Sequence, residues 1–128
     1  MPNSPVVCVV DDDAAVRNAL KFSLEMDGLA VRIYDGAARL LDDPELPSCR
    51  CLVVDYRLPA MDGLELVVAL RARAITAPVI MITGRATPDL RVRAEKLGVR
   101  HVIEKPLPDG DLLNAIQTAI DEAQSPSG

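Results

Sequence analysis

The sequence predicts an α/β fold in which five parallel strands form one doubly wound sheet with helices on both faces. Short apolar runs alternate with segments of helical periodicity along the 128 residues. In addition, 49% of the residues are hydrophobic but only 2% are aromatic, so the core consists of Val, Leu, Ile and Ala, as is typical of a parallel sheet covered by helices. A chain of this length forms one domain, which we expect over residues 1–124, with 125–128 as a disordered tail or the start of a linker.

The net charge of −5 argues against direct binding of nucleic acid, because contacts to phosphates require a basic patch. No apolar run approaches the roughly 18 residues of a membrane span, and no basic segment precedes a long apolar one at the N-terminus. We therefore expect a cytoplasmic protein that does not contact a membrane. Its cysteines, Cys8, Cys49 and Cys51, are expected to be reduced; Cys8 lies in an apolar run, and the C-x-C pair is only a weak indication of a metal site.

Two predicted strands are fully apolar and lead directly into acidic residues. Val6–Val10 is followed by Asp11-Asp12-Asp13, and Cys51–Asp55 ends in its own acid before the turn-rich segment 56–63. A continuous apolar run bounded by turn residues is typical of a strand that is buried on both faces. Each acid also has a simpler interpretation, since Asp55 could cap a loop or a following helix and Asp12 or Asp13 could be the N-cap of the first helix.

The first half of the chain contains three predicted helices besides these strands. Apolar residues at helical spacing mark the first and third of them, with the stripes Val16, Ala19, Leu20, Ser23 and Leu24, which stops near Asp27-Gly28, and Leu64, Val67, Val68 and Arg71. A short helix over 36–41 precedes a proline-containing loop at 43–47. Ala30–Tyr34 is a strand with some alternation of apolar and polar residues, so we expect it near an edge of the sheet.

The second half repeats the alternation of strand and helix. Strands are predicted over 78–83 and 101–104. Between them, Thr87-Pro88-Asp89 provides an N-cap residue, a proline at the first helical position and an acid in the first turn, which predicts a helix over 88–97 that ends at Gly98. This helix has a thin apolar stripe and packs weakly. The last helix carries Leu112, Leu113, Ile116, Ala119 and Ile120.

Four of the five predicted strands deliver polar residues at their carboxyl ends, namely Asp11 and Asp12, Asp55, Thr83 and Lys105. In a sheet of order 2-1-3-4-5 the direction of winding switches between the first and third strands, and open α/β sheets bind ligands at that point. We therefore expect these side chains to meet at one edge of the sheet.

The chemistry of this set favours phosphoryl transfer. Converging carboxylates raise one another's pKa values and titrate together, so a cation is expected among Asp11, Asp12 and Asp55. Their oxygen atoms suit a hard divalent ion, with Mg²⁺ (or Mn²⁺) the best fit. Lys105 supplies an ammonium and Thr83 a hydroxyl donor, so that each of the three oxygens of a transferring phosphoryl group could have a partner.

Four motifs together resemble the response-regulator receiver domains of two-component signalling. They are Val9-Val10-Asp11-Asp12-Asp13, the segment from Val53 to Gly63, Ile82-Thr83-Gly84 and Ile103-Glu104-Lys105-Pro106. The motifs occur in order and span the whole length, and the sequence as a whole is similar to receivers of the FixJ type. The resemblance implies the flavodoxin-like fold of CheY and its relatives.

The resemblance also implies roles for the strand-end residues. Asp55 is then the phosphoacceptor, which receives its phosphoryl group from a sensor histidine kinase or a phosphotransfer protein. Asp11 and Asp12 hold Mg²⁺ together with Asp55 and the backbone carbonyl of Arg57.

Further implications concern the other side of the site. Thr83 and Lys105 contact the phosphoryl oxygens, and the Lys105-Pro106 bond is cis, which a prolyl bond accommodates at modest cost. Such a protein is not a conventional enzyme, although it catalyses its own aspartyl phosphorylation and dephosphorylation.

Family members couple phosphorylation to an aromatic residue three positions before the lysine, and that position here is Val102, which has no hydroxyl and little bulk. We expect the output surface to be the face formed by the helix at 88–97, the last strand and the last helix. Arg91 and His101 line it, with Arg93 and Arg100. This face could bind partners or form a homodimer.

Two arginines are candidates for tuning the lifetime of the phosphoryl group. Arg57 and Arg85 each lie two residues past a site residue, Asp55 and Thr83 respectively. There they crowd the expected path of an attacking water molecule.

Two alternatives compete with a stand-alone receiver. The chain could be the receiver fragment of a longer DNA-binding transcriptional regulator, which needs a further basic helix-turn-helix domain. A phosphatase of the haloacid-dehalogenase type also uses a strand-end Asp, a Thr, a Lys and Mg²⁺. However, no acidic pair follows Lys105 at a strand end, and the chain has no room for a cap domain.

Overall fold

The computed structural model describes residues 5–107 and 110–124, which form alternating strands and helices. The elements are β1 (Val6–Val10), α1 (Ala14–Met26), β2 (Ala30–Tyr34), α2 (Ala37–Leu41), β3 (Cys51–Asp55), α3 (Gly63–Ala72), β4 (Val79–Thr83), α4 (Pro88–Lys96), β5 (His101–Glu104) and α5 (Asp111–Gln124). The sheet has the order β2-β1-β3-β4-β5, and every neighbouring pair of strands is parallel. The predicted doubly wound α/β fold with order 2-1-3-4-5 is confirmed.

Alternate residues of the strands enter two separate cores, one on each face of the sheet. On one face α2, α3 and α4 cover residues such as Val10, Val54 and Met81. On the other, α1 and α5 cover residues such as Val9 and Val53. Both faces of the central strands are therefore buried from solvent, as the continuous apolar runs predict.

Three helices, α1, α3 and α4, begin at side chains that accept hydrogen bonds from otherwise unpaired backbone N–H groups. Asp13 caps α1 by accepting from the N–H of Ala15 at 2.9 Å, so of the two aspartates considered for this role Asp13 is the cap. Asp62 forms a capping box with Glu65 at the start of α3. The N-caps of α1 and α3 place the start of each helix just beyond the acidic end of a central strand.

The buried faces of two helices differ from those predicted. Val68 is 52% exposed, so its assignment to the buried face of α3 is wrong; the buried side chains of this helix include Leu66 and Leu70. On α1 only Leu20 and Leu24 are buried, whereas Ala19 and Ser23 are exposed. Because a helix presents its residues 100° apart, neighbours of a core residue in the sequence can lie outside the contact with the sheet.

Other differences are small. The loop at 43–47 continues into a short 3₁₀ turn over Leu46–Ser48, Gly36 is the N-cap of α2 rather than its first residue, and β4 begins one residue later than predicted. Helix α4 ends at Lys96, one residue before the predicted end. The predicted tail at 125–128 lies outside the described residues.

The three cysteines are free and buried, and Cys8 packs in the core between the sheet and α2, α3 and α4. Within the described residues, none of the helices combines the length and the hydropathy needed to cross a membrane.

Candidate functional site

The carboxyl ends of β1 and β3 bring two acids together in the middle of the sheet. Val10 pairs with Val54 in the parallel register, so Asp11 and Asp55 are the next residues along adjacent strands. Their exposed fractions are 1% and 5%, which makes them two of the three buried polar or charged residues among those described. Acids are rarely buried without a partner, so this pair needs positive charge nearby.

The third acid completes a cluster that could hold a metal ion. Oxygen atoms of Asp11, Asp12 and Asp55 all lie within 4.8 Å of one another. Asp12 is exposed while the other two are buried, so the cluster is open to solvent on one side. Three carboxylates at this spacing match the oxygen ligands of Mg²⁺, which retains several waters and uses few protein carboxylates.

Lys105 reaches this cluster from the far side of β4. Its Nζ atom lies 3.4 Å from Oδ2 of Asp11 and 3.4 Å from Oδ2 of Asp55. The backbone positions it, because the N–H of Lys105 donates to the carbonyl of Thr83 at 2.7 Å. The Lys105-Pro106 peptide bond is cis. Burial alone would lower the pKa of Lys105, but the charges of Asp55 and Asp11 outweigh it, so the pKa lies above its ordinary value and the side chain is an ammonium.

Burial destabilises the ionised form of the Asp55 carboxyl group. Burial and, next, the neighbouring charge of Asp11 raise its pKa from 3.8 to about 6. The ammonium of Lys105 and the N–H of Arg57, 3.4 Å from Oδ1, oppose this rise without cancelling it. The cluster therefore carries more negative charge than the protein alone neutralises, which is the electrostatic condition for binding a divalent cation.

Hydrogen bonds fix the orientation of Asp11. Its Oδ1 atom accepts from the N–H of Asp13 at 2.9 Å. Its backbone is held on both sides, since its N–H donates to the carbonyl of Tyr34 at 3.1 Å and its carbonyl accepts from the guanidinium of Arg17 at 2.7 Å. Arg17 thus supports the site from α1; the sequence offers no signal for this contact beyond its position one turn into the helix.

Thr83 ends β4 and is 3% exposed. Its register partner on β5 is Glu104, the residue before Lys105. The hydroxyl donates to the carbonyl of Arg85 at 3.2 Å and accepts from the N–H of the same residue at 3.2 Å. The threonine is therefore engaged by its own loop, and it must release the carbonyl before it can donate to a ligand.

The two arginines near the site are exposed and share one opening. Arg57 and Arg85, together with Tyr56, Thr83 and Arg93, line a cavity of about 460 Å³ between the loops that follow β3 and β4. The sequence singles out Arg57 and Arg85 by their spacing from Asp55 and Thr83. It does not link Arg93 to them, because the position of Arg93 at this cavity depends on how α4 packs.

The residues predicted for output lie on α4 and β5. Val102 packs partly buried against the core, and its carbonyl accepts from the guanidinium of Arg91 at 3.2 Å. His101 is exposed. Glu104 accepts a hydrogen bond from the N–H of Ala86 at 3.1 Å. The sequence analysis did not select Glu104, although its position as a charged residue directly before the strand-end lysine could have indicated a role near the site.

The comparison with protein families agrees with this geometry, because the family described as "Response regulator receiver domain" matches residues 7–117. The chain belongs to the response-regulator receiver domains. With the family shown and the fold matched, the phosphatase alternative has no support.

Two curated relatives of this receiver domain carry the name "Transcriptional regulatory protein FixJ". The protein from Azorhizobium caulinodans is 42% identical over 120 residues, which are 94% of this chain and 57% of the relative. The protein from Bradyrhizobium diazoefficiens is 38% identical over 118 residues, or 92% of this chain and 58% of the relative. The chain thus spans less than two thirds of the length of either relative.

Solved structures place the receiver domain in the same group. The structure titled "FixJ-N" is 37% identical with a TM-score of 0.82, and the match covers 94% of this chain and 96% of that chain. The full-length FixJ from B. japonicum is 37% identical with a TM-score of 0.85, and the match covers 96% of this chain and 61% of that one. The chain is a receiver domain of the FixJ type.

Proposed function

We propose that Asp55 accepts a phosphoryl group from a sensor histidine kinase or a phosphotransfer protein. The observation that carries this proposal is the position of the Lys105 ammonium, 3.4 Å from carboxylate oxygens of both Asp55 and Asp11. A buried carboxylate beside a second acid and a fixed ammonium is poised to hold a group whose own charge is spread over several oxygens.

In the transfer, a carboxylate oxygen of Asp55 attacks the phosphorus atom. The new O–P bond forms as the bond from phosphorus to the donor's imidazole nitrogen breaks, and the nitrogen takes the electron pair. Lys105 donates to one phosphoryl oxygen. The hydroxyl of Thr83 donates to another once it has left the carbonyl of Arg85. These donors act mainly by position and charge, as phosphoryl transfer requires.

The proposed cofactor is Mg²⁺ or Mn²⁺, held by Asp11, Asp12 and Asp55 with the backbone carbonyl of Arg57. The oxygen ligands and the uncompensated charge of the cluster fit such an ion. When bound, the ion neutralises charge on the phosphoryl oxygens. Asp12, the exposed member, keeps the ligand set accessible to the ion from solvent.

Arg57 and Arg85 are proposed to tune the loss of the phosphoryl group. Both side chains are exposed and line the cavity between the loops that follow β3 and β4, and an attacking water molecule is proposed to approach Asp55 from this side. Replacing each with alanine and following phosphate release after removal of the donor tests this role. A shorter lifetime of the phosphorylated protein is expected; an unchanged lifetime in both variants would remove these residues from the proposal.

The proposed output surface is the α4–β5–α5 face, which carries Arg91 and His101. Phosphorylation adds negative charge near the start of α4, and this face then binds a partner or a second copy of the chain. Sedimentation of the free protein and of the protein treated with beryllofluoride and Mg²⁺ checks the homodimer. Identical sedimentation of the two samples would argue against it.

We further propose that residues 1–124 form the receiver domain and that it acts in the cytoplasm. A second candidate is that the receiver belongs to a longer DNA-binding transcriptional regulator. This is favoured by the curated relatives, which are named as transcriptional regulators and are longer than this chain.

The decisive experiment is incubation with acetyl phosphate and Mg²⁺, followed by intact-mass measurement. The wild type should gain one phosphoryl group and Asp55→Asn none. Asp35→Asn is the matched control, since Asp35 is an exposed acid directly after β2 and its replacement should leave the gain intact. Addition of phosphoryl to Asp55→Asn at the wild-type level would refute the proposal.

A further inference from the structure

Two side chains tie α4 and its leading loop to β5. Residues 84–87 connect Thr83 to α4, and within this loop the N–H of Ala86 donates to Oε2 of Glu104 at 3.1 Å. One turn into the helix, the guanidinium of Arg91 donates to the carbonyl of Val102 at 3.2 Å. One tie holds the loop and the other holds the helix, and both end on the same strand.

Helix α4 buries few of its side chains. Of the nine residues from Pro88 to Lys96, only Leu90 and Ala94 are buried, so the helix contributes little apolar area to the core. A helix with so small an apolar contact depends more than its neighbours on polar ties, and it belongs to the elements that open most easily.

The loop begins at the residue that is expected to respond to phosphorylation. At present the Thr83 hydroxyl is bonded in both directions to the backbone of Arg85, which directly precedes Ala86. When the hydroxyl turns to a phosphoryl oxygen on Asp55, it abandons the Arg85 carbonyl and the loop loses its internal brace. The hydrogen bond from the N–H of Ala86 to Glu104 is the next contact along the chain. A displacement of the loop therefore lengthens or breaks this hydrogen bond.

The second tie ends on the backbone of β5. Arg91 donates to the backbone carbonyl of Val102, so this tie depends on the guanidinium and on the path of the strand, and not on the side chain at position 102. The side chain of Val102 packs partly buried against the core.

We propose that Glu104 and Arg91 are positioning residues that latch the β4–α4 loop and α4 onto β5 in the unphosphorylated protein, and that phosphorylation of Asp55 opens this latch. The inference rests on the proposed function of Asp55. Because linkage is reciprocal, a latch that phosphorylation opens must itself oppose the phosphorylated arrangement. Removing either tie should therefore make that arrangement easier to reach.

The test uses Glu104→Ala and Arg91→Met. Their matched controls are Glu95→Ala and Lys96→Met, which remove the same charges from exposed positions of α4. Two quantities are measured: hydrogen exchange of the amides of residues 89–96 without phosphoryl donor, and the affinity for beryllofluoride with Mg²⁺. Each latch variant should speed the exchange of α4 and bind beryllofluoride about fivefold more tightly, the factor that corresponds to the loss of about 1 kcal/mol. The controls should match the wild type.

Conservative variants separate the latch from a general loss of structure. Glu104→Gln and Arg91→Lys keep a side-chain acceptor and a side-chain donor, so they should restore slow exchange of α4, while exchange in β1 and β3 stays constant in every variant. If Glu104→Ala and Arg91→Met behave as their controls do, or bind beryllofluoride more weakly, the latch is refuted. Intact-mass measurement of the same samples decides the underlying proposal independently, because it reports only whether Asp55 gains a phosphoryl group.

Discussion

The ammonium of Lys105 lies 3.4 Å from an oxygen of Asp55 although 50 residues separate them in the chain. The two never meet through local structure, since β3 and β5 are not neighbours and β4 lies between them. Lys105 reaches across because it follows the carboxyl end of β5 and its side chain is long. The ammonium of this one lysine therefore partly neutralises the negative charge of both buried acids.

Replacing this lysine with an uncharged side chain of similar length should impair phosphorylation far more than folding. Lys105→Met removes the ammonium that is expected to stabilise the transferring group, so we expect at least a tenfold slower gain of phosphoryl from acetyl phosphate. Lys96→Met, on the exposed side of α4, is the control and should react at the wild-type rate. Intact-mass time courses measure both, and equal rates for the two variants would contradict this role of Lys105.

The raised pKa of Asp55 predicts a pH-dependent cost to stability in metal-free protein. In the folded state this pKa is about 6, against 3.8 for an ordinary aspartate, so folding favours the protonated form and the contribution to stability is lost as the pH rises from about 4 through about 6. Asp55→Asn carries no charge here. At pH 7.5 with EDTA it should exceed the wild type in free energy of unfolding by about 3 kcal/mol, a gap that narrows towards pH 4.

Urea unfolding over this pH range measures the difference, with Asp35→Asn as the control acid. Added Mg²⁺ should narrow the gap at pH 7.5, because the ion stabilises the ionised carboxylate of the wild type. A difference that stays constant with pH, or that Mg²⁺ leaves unchanged, would contradict the electrostatic account of the site.

Gly63 is required by the close approach of α3 to the site. A Cβ atom at this position would lie 2.9 Å from the carbonyl oxygen of Asp55, 3.0 Å from Cα of Tyr56 and 3.1 Å from Cε of Met81. Two of these atoms belong to the backbone and cannot move away without shifting Asp55. Gly63→Ala should therefore lower the free energy of unfolding by about 2 kcal/mol and slow phosphorylation. Gly36→Ala, whose Cβ meets only Cγ of Pro59 at 3.7 Å, should change stability by less than about 0.5 kcal/mol; equal losses would contradict the steric argument.

Ala74 occupies a backbone conformation that suits glycine. Its φ is 63°, and it ends α3 in a motif in which the N–H of Ala74 donates to the carbonyl of Arg71 and the N–H of Ile75 to that of Leu70, both at 3.0 Å. Because a side chain is strained there, Ala74→Gly should raise the free energy of unfolding by about 1 kcal/mol. In Ala72→Gly, at the last helical residue, no such strain is relieved and we expect a small decrease. Thermal or urea unfolding compares them, and destabilisation by Ala74→Gly would be the contrary result.

The strands were predictable because burial on both faces leaves a pattern that requires no knowledge of partners. Val6–Val10 and Cys51–Asp55 match the predicted bounds, since the apolar runs end where the chain leaves the dry interior. The buried face of a helix was less predictable. Val68 has the hydropathy of a core residue, and its exposure depends on the angle at which α3 rests on the sheet, which the sequence does not encode at any single position.

The family and the fold could be inferred from the order of the motifs, because polar residues at the carboxyl ends of parallel strands must gather at one edge. Local spacing also located the acids, the threonine and the lysine. The ties that Glu104 and Arg91 make to the β4–α4 loop and to β5 could not be inferred in this way, because each is a contact between a side chain and a distant backbone group.

By itself, then, the sequence determined the α/β class, the strand order consistent with it, and the identity of the charged groups at the strand ends. Only the tertiary structure decided that the ammonium of Lys105 lies between Asp11 and Asp55, that Thr83 is bonded to its own loop, and that α4 is held to β5 by two polar ties. The physical reason is range: propensity and hydrophobic pattern act between residues close in the chain, whereas the electrostatics of a site depend on distances of a few ångströms between groups that only the folded chain brings together.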